Sequence, residues 1–250
     1  MALSEAFQHS VGNGYPLTVF VSPGWAQKGV SIGRGQNIEC VNRAACAEDG
    51  LEVVRRPTDG YGLIHDVNDV TYGIAVPRRF VKSARDIDDI VLRVLQSSLA
   101  LMDIPDVYDP FPQKYGNVFA RDRKISGSAQ SRGNKSWMQH GVIAVVRHRV
   151  DDYKRYFNGI KEPFRFVMTS VEEESGHGIE ILSSLIASQI AASFSYELSK
   201  YGVEMKDSSL SEEEAEYADE LLRTKYDTAE WVSYGTGRYD KSERVACFIE

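Results

Sequence analysis

The spacing of apolar positions along the chain changes character near residue 147. Before it, apolar residues come in short β-branched and aromatic runs; after it, they recur three and four apart over longer stretches. Leu17-Thr-Val-Phe-Val21 predicts a strand, and Pro23-Gly24 turns the chain. Gly29–Gly33, Leu51–Val54, the apolar run ending at His65, and Val70–Val76 closed by Pro77 predict further extended segments. Between them, Asn42–Asp49 predicts a helical turn stopped by Gly50. Residues 1–12 predict a short helix with Leu3, Ala6 and Phe7 on one side. The first long helical pattern covers 83–102, with Ser83 as N-cap and Ile87, Ile90, Val91, Val94, Leu95 and Leu99 on the face that packs on a core.

Prolines at 105, 110 and 112 make residues 104–116 a loop. Asn117–Ala120 and Lys124–Ser126 predict a hairpin around Arg121-Asp122-Arg123. Gln139-His140-Gly141 is expected to open a strand over Val142–Val146, and Asp151–Phe157 a short helix. Long helices follow over 178–203 and 211–225, the second started by the capping-box pair Ser211 and Glu214. Strands first and helices later predict an α+β protein.

Composition narrows the class. An apolar fraction of 42% and a charged fraction of 26% fit a soluble globular protein. A net charge of −7 argues against general nucleic-acid binding, and no apolar run reaches the length of a membrane span. The N-terminus carries no secretory pattern, and Cys40, Cys46 and Cys247 lack metal-ligand spacing, so the expectation is free thiols in a reducing, cytoplasmic setting.

Three polar clusters carry candidate chemistry. In Arg55-Arg56-Pro-Thr-Asp-Gly60-Tyr-Gly62-Leu-Ile-His65-Asp66, arginines beside a glycine-bearing turn suit a carboxylate or phosphate, and glycine lets the backbone approach a ligand. The same stretch also reads as an ordinary polar hairpin with solvated arginines. Lys124-Ile-Ser-Gly127-Ser-Ala-Gln130 sets a lysine beside small residues, where it can act as a point charge on a carboxylate or a phosphate oxygen. Gln139-His140-Gly141 is the third. No Ser-His-Asp arrangement, Walker loop or dinucleotide fingerprint is present, and no base is readable beside Cys40.

In this order, Ser31-Ile-Gly-Arg-Gly-Gln36, Arg55-Arg56…His65-Asp66, Tyr72, Arg123-Lys-Ile-Ser-Gly-Ser-Ala-Gln130 and Gln139-His-Gly141 resemble the lipoate–protein ligase A family. Lys225-Tyr-Asp-Thr-Ala-Glu-Trp231 is similar to a family ending. The resemblance spans nearly the whole chain and implies a biotin/lipoyl ligase-like catalytic domain over residues 1–250, a mixed sheet packed with helices. It implies that ATP with Mg²⁺ activates lipoate, or octanoate, to an acyl-adenylate, and that the acyl group passes to a lysine of a lipoyl carrier domain.

By the same resemblance, Lys124 is catalytic. Arg55, Arg56, Gly60, Gly62, His65, Asn117, Ser126, Gly127, Ser128 and His140 would surround acyl group and adenylate, with Asn117 standing nearest the metal. Three successive glycines of the family pattern correspond here to Asp59, Gly60 and Tyr61. Related octanoyltransferases carry the acyl group on a cysteine near the Lys-Ile-x-Gly element, and this chain has none between Cys46 and Cys247. The accessory C-terminal domain of many ligases is expected to be absent or supplied by a separate subunit. The competing expectation is a non-catalytic scaffold of the same fold.

Overall fold

The computed structural model describes residues 1–111, 116–159, 168–179 and 182–235. Cys247 and Ile181 therefore lie outside the described residues. A six-stranded sheet runs in the order β1(Thr18–Pro23), β5(Val70–Pro77), β9(Ser136–Ile143), β8(Arg123–Arg132), β7(Gly116–Ala120) and β6(Val107–Tyr108). A second, three-stranded sheet is built from β2(Gly29–Ile32), β3(Glu52–Arg55) and β4(Leu63–His65).

The large sheet has two unlike faces. On its back face lie α3(Ala84–Ala100) and α6(Leu182–Ser199), and the main core forms there from Ile87, Ile90, Val94, Leu95, Ile186, Ile190 and Phe194 against Tyr72, Ile74, Val76 and Ile143. Fully burying one such aliphatic or aromatic side chain is worth roughly 1.5–3 kcal/mol. On its front face α1(Ala2–Gly12) packs Phe7 and Val11 against Ala75 and Met138.

The small sheet has its own core, with Val30, Ile32, Ile38, Cys40 and Cys46 packed on α2(Arg43–Glu48) and on Tyr153 and Phe157, at and just past α4(Val150–Tyr156). Cys40 and Cys46 are both buried, and no disulfide joins them. The short α5(Val171–Ser175) precedes α6. A third cluster joins α1 to α7(Glu212–Leu221), the wide turn Leu222–Tyr226 and α8(Ala229–Tyr234), through Ala2, Ala6, Ala218, Leu221, Tyr226 and Trp231.

Most predicted elements stand within a few residues of their expected limits. Four differ. The arginine stretch is not a hairpin: β3 and β4 flank β2, parallel on one side and antiparallel on the other. Gln139-His140-Gly141 lies inside β9, which starts at Ser136. Residues 104–111 hold the two-residue strand β6. The fourth is α8, whose six residues are too few to show helical periodicity in sequence. Among the described residues no helix is long and apolar enough to cross a membrane.

Candidate active site

Lys124 owes its position to an irregularity in β8. Val118 pairs with Ser126 but Phe119 pairs with Lys124, so Ile125 is an extra residue on the β8 side. Strict alternation would put Lys124 on the same face as Ser126. With the bulge, both Ile125 and Ser126 turn to the back: Ile125 enters the main core and Ser126 Oγ lies 2.9 Å from Tyr72 Oη. Lys124 is left on the front, where its ammonium lies against Gly127; a Cβ there would be 3.1 Å from Nζ and 3.8 Å from Asn117 Oδ1.

The neighbouring chain fixes the bulge. Thr169 N donates to the Lys124 carbonyl at 2.9 Å and Ala144 N to that of Ile125 at 3.0 Å. At the hairpin tip both Arg121 (φ 45°) and Asp122 (φ 66°) are left-handed, a conformation side chains disfavour. Arg121 faces Glu174, Asp122 accepts from Tyr108, and Arg123 meets the buried Glu174 at 2.5 Å.

The second half of the site comes from the small sheet. Arg56 is buried, and its guanidinium donates to Ser31 Oγ (2.8 Å), Ser31 O (3.1 Å), Tyr61 O (2.9 Å) and Asp59 O (3.4 Å). Among the described residues it forms no ion pair; the Asp59 carboxylate turns outward to Arg34 at 2.9 Å. A buried cation bonded only to neutral oxygens is costly unless an anion joins it. Burial holds Arg56 down to about 10, still charged at neutral pH. Burial first, and the Arg56 charge second, push Lys124 down to about 8.

Both histidines are neutral. His65, 2.6 Å from Ser31 Oγ, is held well below its ordinary value by burial and then by Arg56. Among the described residues, the buried His65 Nδ1 and the Nε1–H of Trp25, stacked on the same ring at 3.9 Å, have no hydrogen-bond partner. His140 lies 2.8 Å from Thr58 Oγ1 and 3.3 Å from Ser4 Oγ, and burial followed by the Arg56 charge depresses it to about 3.

Lys124, Gly127, Asn117, Arg56, His65 and His140 are thus linked across the two sheets by contacts or by mutual charge effects. Ser31, Thr58 and Ser4 complete the cluster. Ser31 and Thr58 sat inside the quoted motifs without an assigned role. Ser4, far away in sequence, carried no signal.

Five of the expected site residues have close protein partners. Arg55 gives its guanidinium to backbone carbonyls. Gly60 (φ 106°) presses its carbonyl onto Gly33, where a Cβ would lie 2.1 Å from it. Gly62 is covered by Phe157, whose ring would lie 2.1 Å from a Cβ. Ser126 and Ser128 face the back of the sheet: Ser128 Oγ accepts from Gln139 at 2.8 Å and donates to the Gly116 carbonyl at 3.1 Å. Their physical reason is common to all five: each meets a protein partner that sequence spacing does not reveal.

Asn117 offers one amide oxygen near Lys124. Among the described residues no three His, Cys, Asp or Glu side chains gather as a metal site. Mg²⁺ ordinarily needs several oxygen ligands, a carboxylate among them, so these residues do not fit a metal unaided. A groove of about 750 Å³ bordered by Asn42, Glu48 and Arg155, and a cleft of about 280 Å³ bordered by Leu3, Leu210 and Leu222, lie apart from Lys124.

Fold and cluster together define a two-sheet α+β structure that brings the buried Arg56 and the part-buried Lys124, two cations, to one place. Residues 1–194 match the lipoyl protein ligase A/B catalytic domain, and the chain belongs to that family of acyl-transferring enzymes. Octanoyltransferase LipM of Carboxydothermus hydrogenoformans is 29% identical, over 93% of both chains. Its counterpart from Bacillus subtilis is 26% identical over 92% of both.

Among solved structures, lipoate-protein ligase A bound with ATP superposes with a TM-score of 0.75 at 20% identity, covering 93% of this chain and 92% of that one. A bi-partite lipoate protein ligase described with its E2 lipoyl domain from Thermoplasma acidophilum gives 0.77 at 18%, covering 96% and 94%. These structures establish the shared fold.

Proposed function

We propose that the protein activates octanoate or lipoate with ATP and joins the acyl group to a lysine of a lipoyl carrier domain. The observation that carries this reading is the pairing of Arg56 and Lys124, two cations held at one site without a bonded carboxylate on Arg56 and with both adjacent histidines neutral. Such a site suits a carboxylate attacking a phosphate. In the first half-reaction the acid oxygen attacks the α-phosphorus of ATP and pyrophosphate leaves. In the second, the carrier lysine attacks the acyl carbonyl, the C–O bond to phosphate breaks and AMP leaves with that electron pair.

Arg56 would hold the carboxylate and phosphate oxygens. Lys124, charged below pH 8, would donate to the oxygen on which negative charge grows in both steps. Asn117 and Gly127 border the lysine and keep its approach clear. His140, being neutral, would orient Thr58 rather than transfer a proton.

A second reading follows from the octanoyltransferase relatives: in it the acyl group arrives already activated as a carrier-bound thioester. A covalent relay needs a nucleophilic thiol. Cys40 and Cys46 are buried in the small-sheet core, and burial raises the Cys46 thiol further. Direct aminolysis of a thioester at the same cation pair would need no such thiol.

The test is a mass shift on a purified lipoyl domain, measured with octanoate or lipoate plus ATP–Mg²⁺, and in parallel with an octanoylated carrier and no ATP. ATP–pyrophosphate exchange with acylation in the first mixture alone supports the adenylating route. Acylation in the second alone favours transfer from a thioester. No acylation in either, with no binding of acid or ATP, returns the scaffold reading.

A further inference from the structure

Adjacent in sequence, Arg55 and Arg56 have opposite surroundings. Arg56 turns to the site. Arg55, 1% exposed, bonds six backbone carbonyls: those of Trp231, Val232 and Ser233 in α8, and those of Gly33, Arg34 and Gln36 in the turn after β2. Carbonyls at a helix C-terminus carry the negative end of its dipole, and the Arg55 guanidinium gives those of α8 a charged donor, Trp231 O accepting from Gly235 N at 2.9 Å as well.

The attachment is reciprocal. Trp231 Nε1 donates back to the Arg55 carbonyl at 3.1 Å. Val232 packs against the small-sheet core while Trp231 belongs to the α1–α7 core, so α8 joins the two. Gly235, at φ 58°, ends the helix against the same turn; a Cβ there would sit 2.4 Å from the Arg34 carbonyl and 3.0 Å from Arg55 Cδ.

The turn held by Arg55 is the one that shapes the site. Arg34 N donates to the Thr58 carbonyl at 2.7 Å, Gly33 abuts Gly60, and Arg56 N donates to Ile32 O at 2.9 Å. Thr58 in turn meets His140.

We propose that Arg55 is a positioning residue and that α8, through it, clamps the Gly33–Gln36 turn and thereby sets the Thr58–Tyr61 loop that frames Arg56. The anion site is complete only with α8 in place. This inference rests on the proposed reaction for its kinetic arm alone.

The experiment compares the full chain with Arg55→Lys, Trp231→Phe and Gly235→Ala, by amide hydrogen exchange and by acylation kinetics. The last two variants leave Arg55 in place, so the inference does not hang on Arg55→Lys folding. The expected result is faster exchange, by about tenfold or more, at the amides of Arg34 and Arg56 as well as those of 229–235. The largest change belongs to Arg55→Lys, whose single ammonium cannot span both groups of carbonyls. KM for the acid rises about tenfold while kcat changes less than threefold, because Lys124 is untouched.

Exchange that quickens only within 229–235, with Arg34 and Arg56 unchanged in all three variants, overturns the clamp. So does an unchanged KM in an active enzyme. If the wild-type chain acylates nothing, the proposed reaction fails while the exchange result still decides the clamp.

Discussion

The two faces of the large sheet use the same strands for different ends. On the back, Tyr72, Ser126, Ser128, Gln130 and Gln139 bond one another and the start of α3. On the front, Lys124, Gly127, Asn117 and His140 meet the arginine loop of the small sheet. Polar groups on the back are satisfied by protein partners, whereas the front holds excess positive charge. Back-face polar residues therefore specify the frame, and the front-face residues are the ones proposed to meet the ligand.

The sharpest test of this division is Lys124→Ala, expected to lower acyl transfer by about 10²–10³-fold, the usual cost of losing a donor to developing negative charge. If loss of Lys124 leaves transfer within tenfold, the front face is not the reacting side. Below that in size, Arg56→Met should weaken binding of the acid or ATP about 10–100-fold in calorimetric titration.

The depressed lysine gives a pH signature of smaller amplitude. Transfer that needs charged Lys124 should decline as pH rises through about 8. For stability the sign is opposite. Between pH 8 and the unfolded lysine value near 10.4 the unfolded chain binds more protons, so wild-type stability rises with pH across that window. Lys124→Met should accordingly be more stable than wild type below pH 8, by about 1–2 kcal/mol after discounting for partial exposure, and that advantage should vanish toward pH 10.5.

Smallest on activity, and most informative about the back face, is Ser126→Ala. It removes a partner of the buried Tyr72 hydroxyl and should cost about 1–2 kcal/mol in urea unfolding. Transfer should change less than threefold. A hundredfold loss of transfer in this variant or in Ser128→Ala would place those hydroxyls at the ligand and break the comparison.

Much of this arrangement was legible in the residues. The α3 stripe, the α7 capping box and the strand runs rest on local periodicity and capping, which sequence displays directly. The motif around Lys124 and the paired arginines identified the polar clusters. Their internal assignment was less legible. Ser126 and Ser128 share a segment with Lys124, yet one extra residue at Ile125 sends them to the opposite face. Arg55 and Arg56 are the same residue type side by side, and three of the six carbonyls that occupy Arg55 come from α8, more than 170 positions away.

Sequence alone thus determined the α+β class, the order of most elements and the residue types that carry charge to the site, because hydrophobic period, capping and turn chemistry are properties of neighbours along the chain. Tertiary structure decided which lysine face is presented, which arginine stays available and how α8 closes the turn. A bulge, a buried charge and a helix terminus take their meaning from groups brought near only when the two sheets pack.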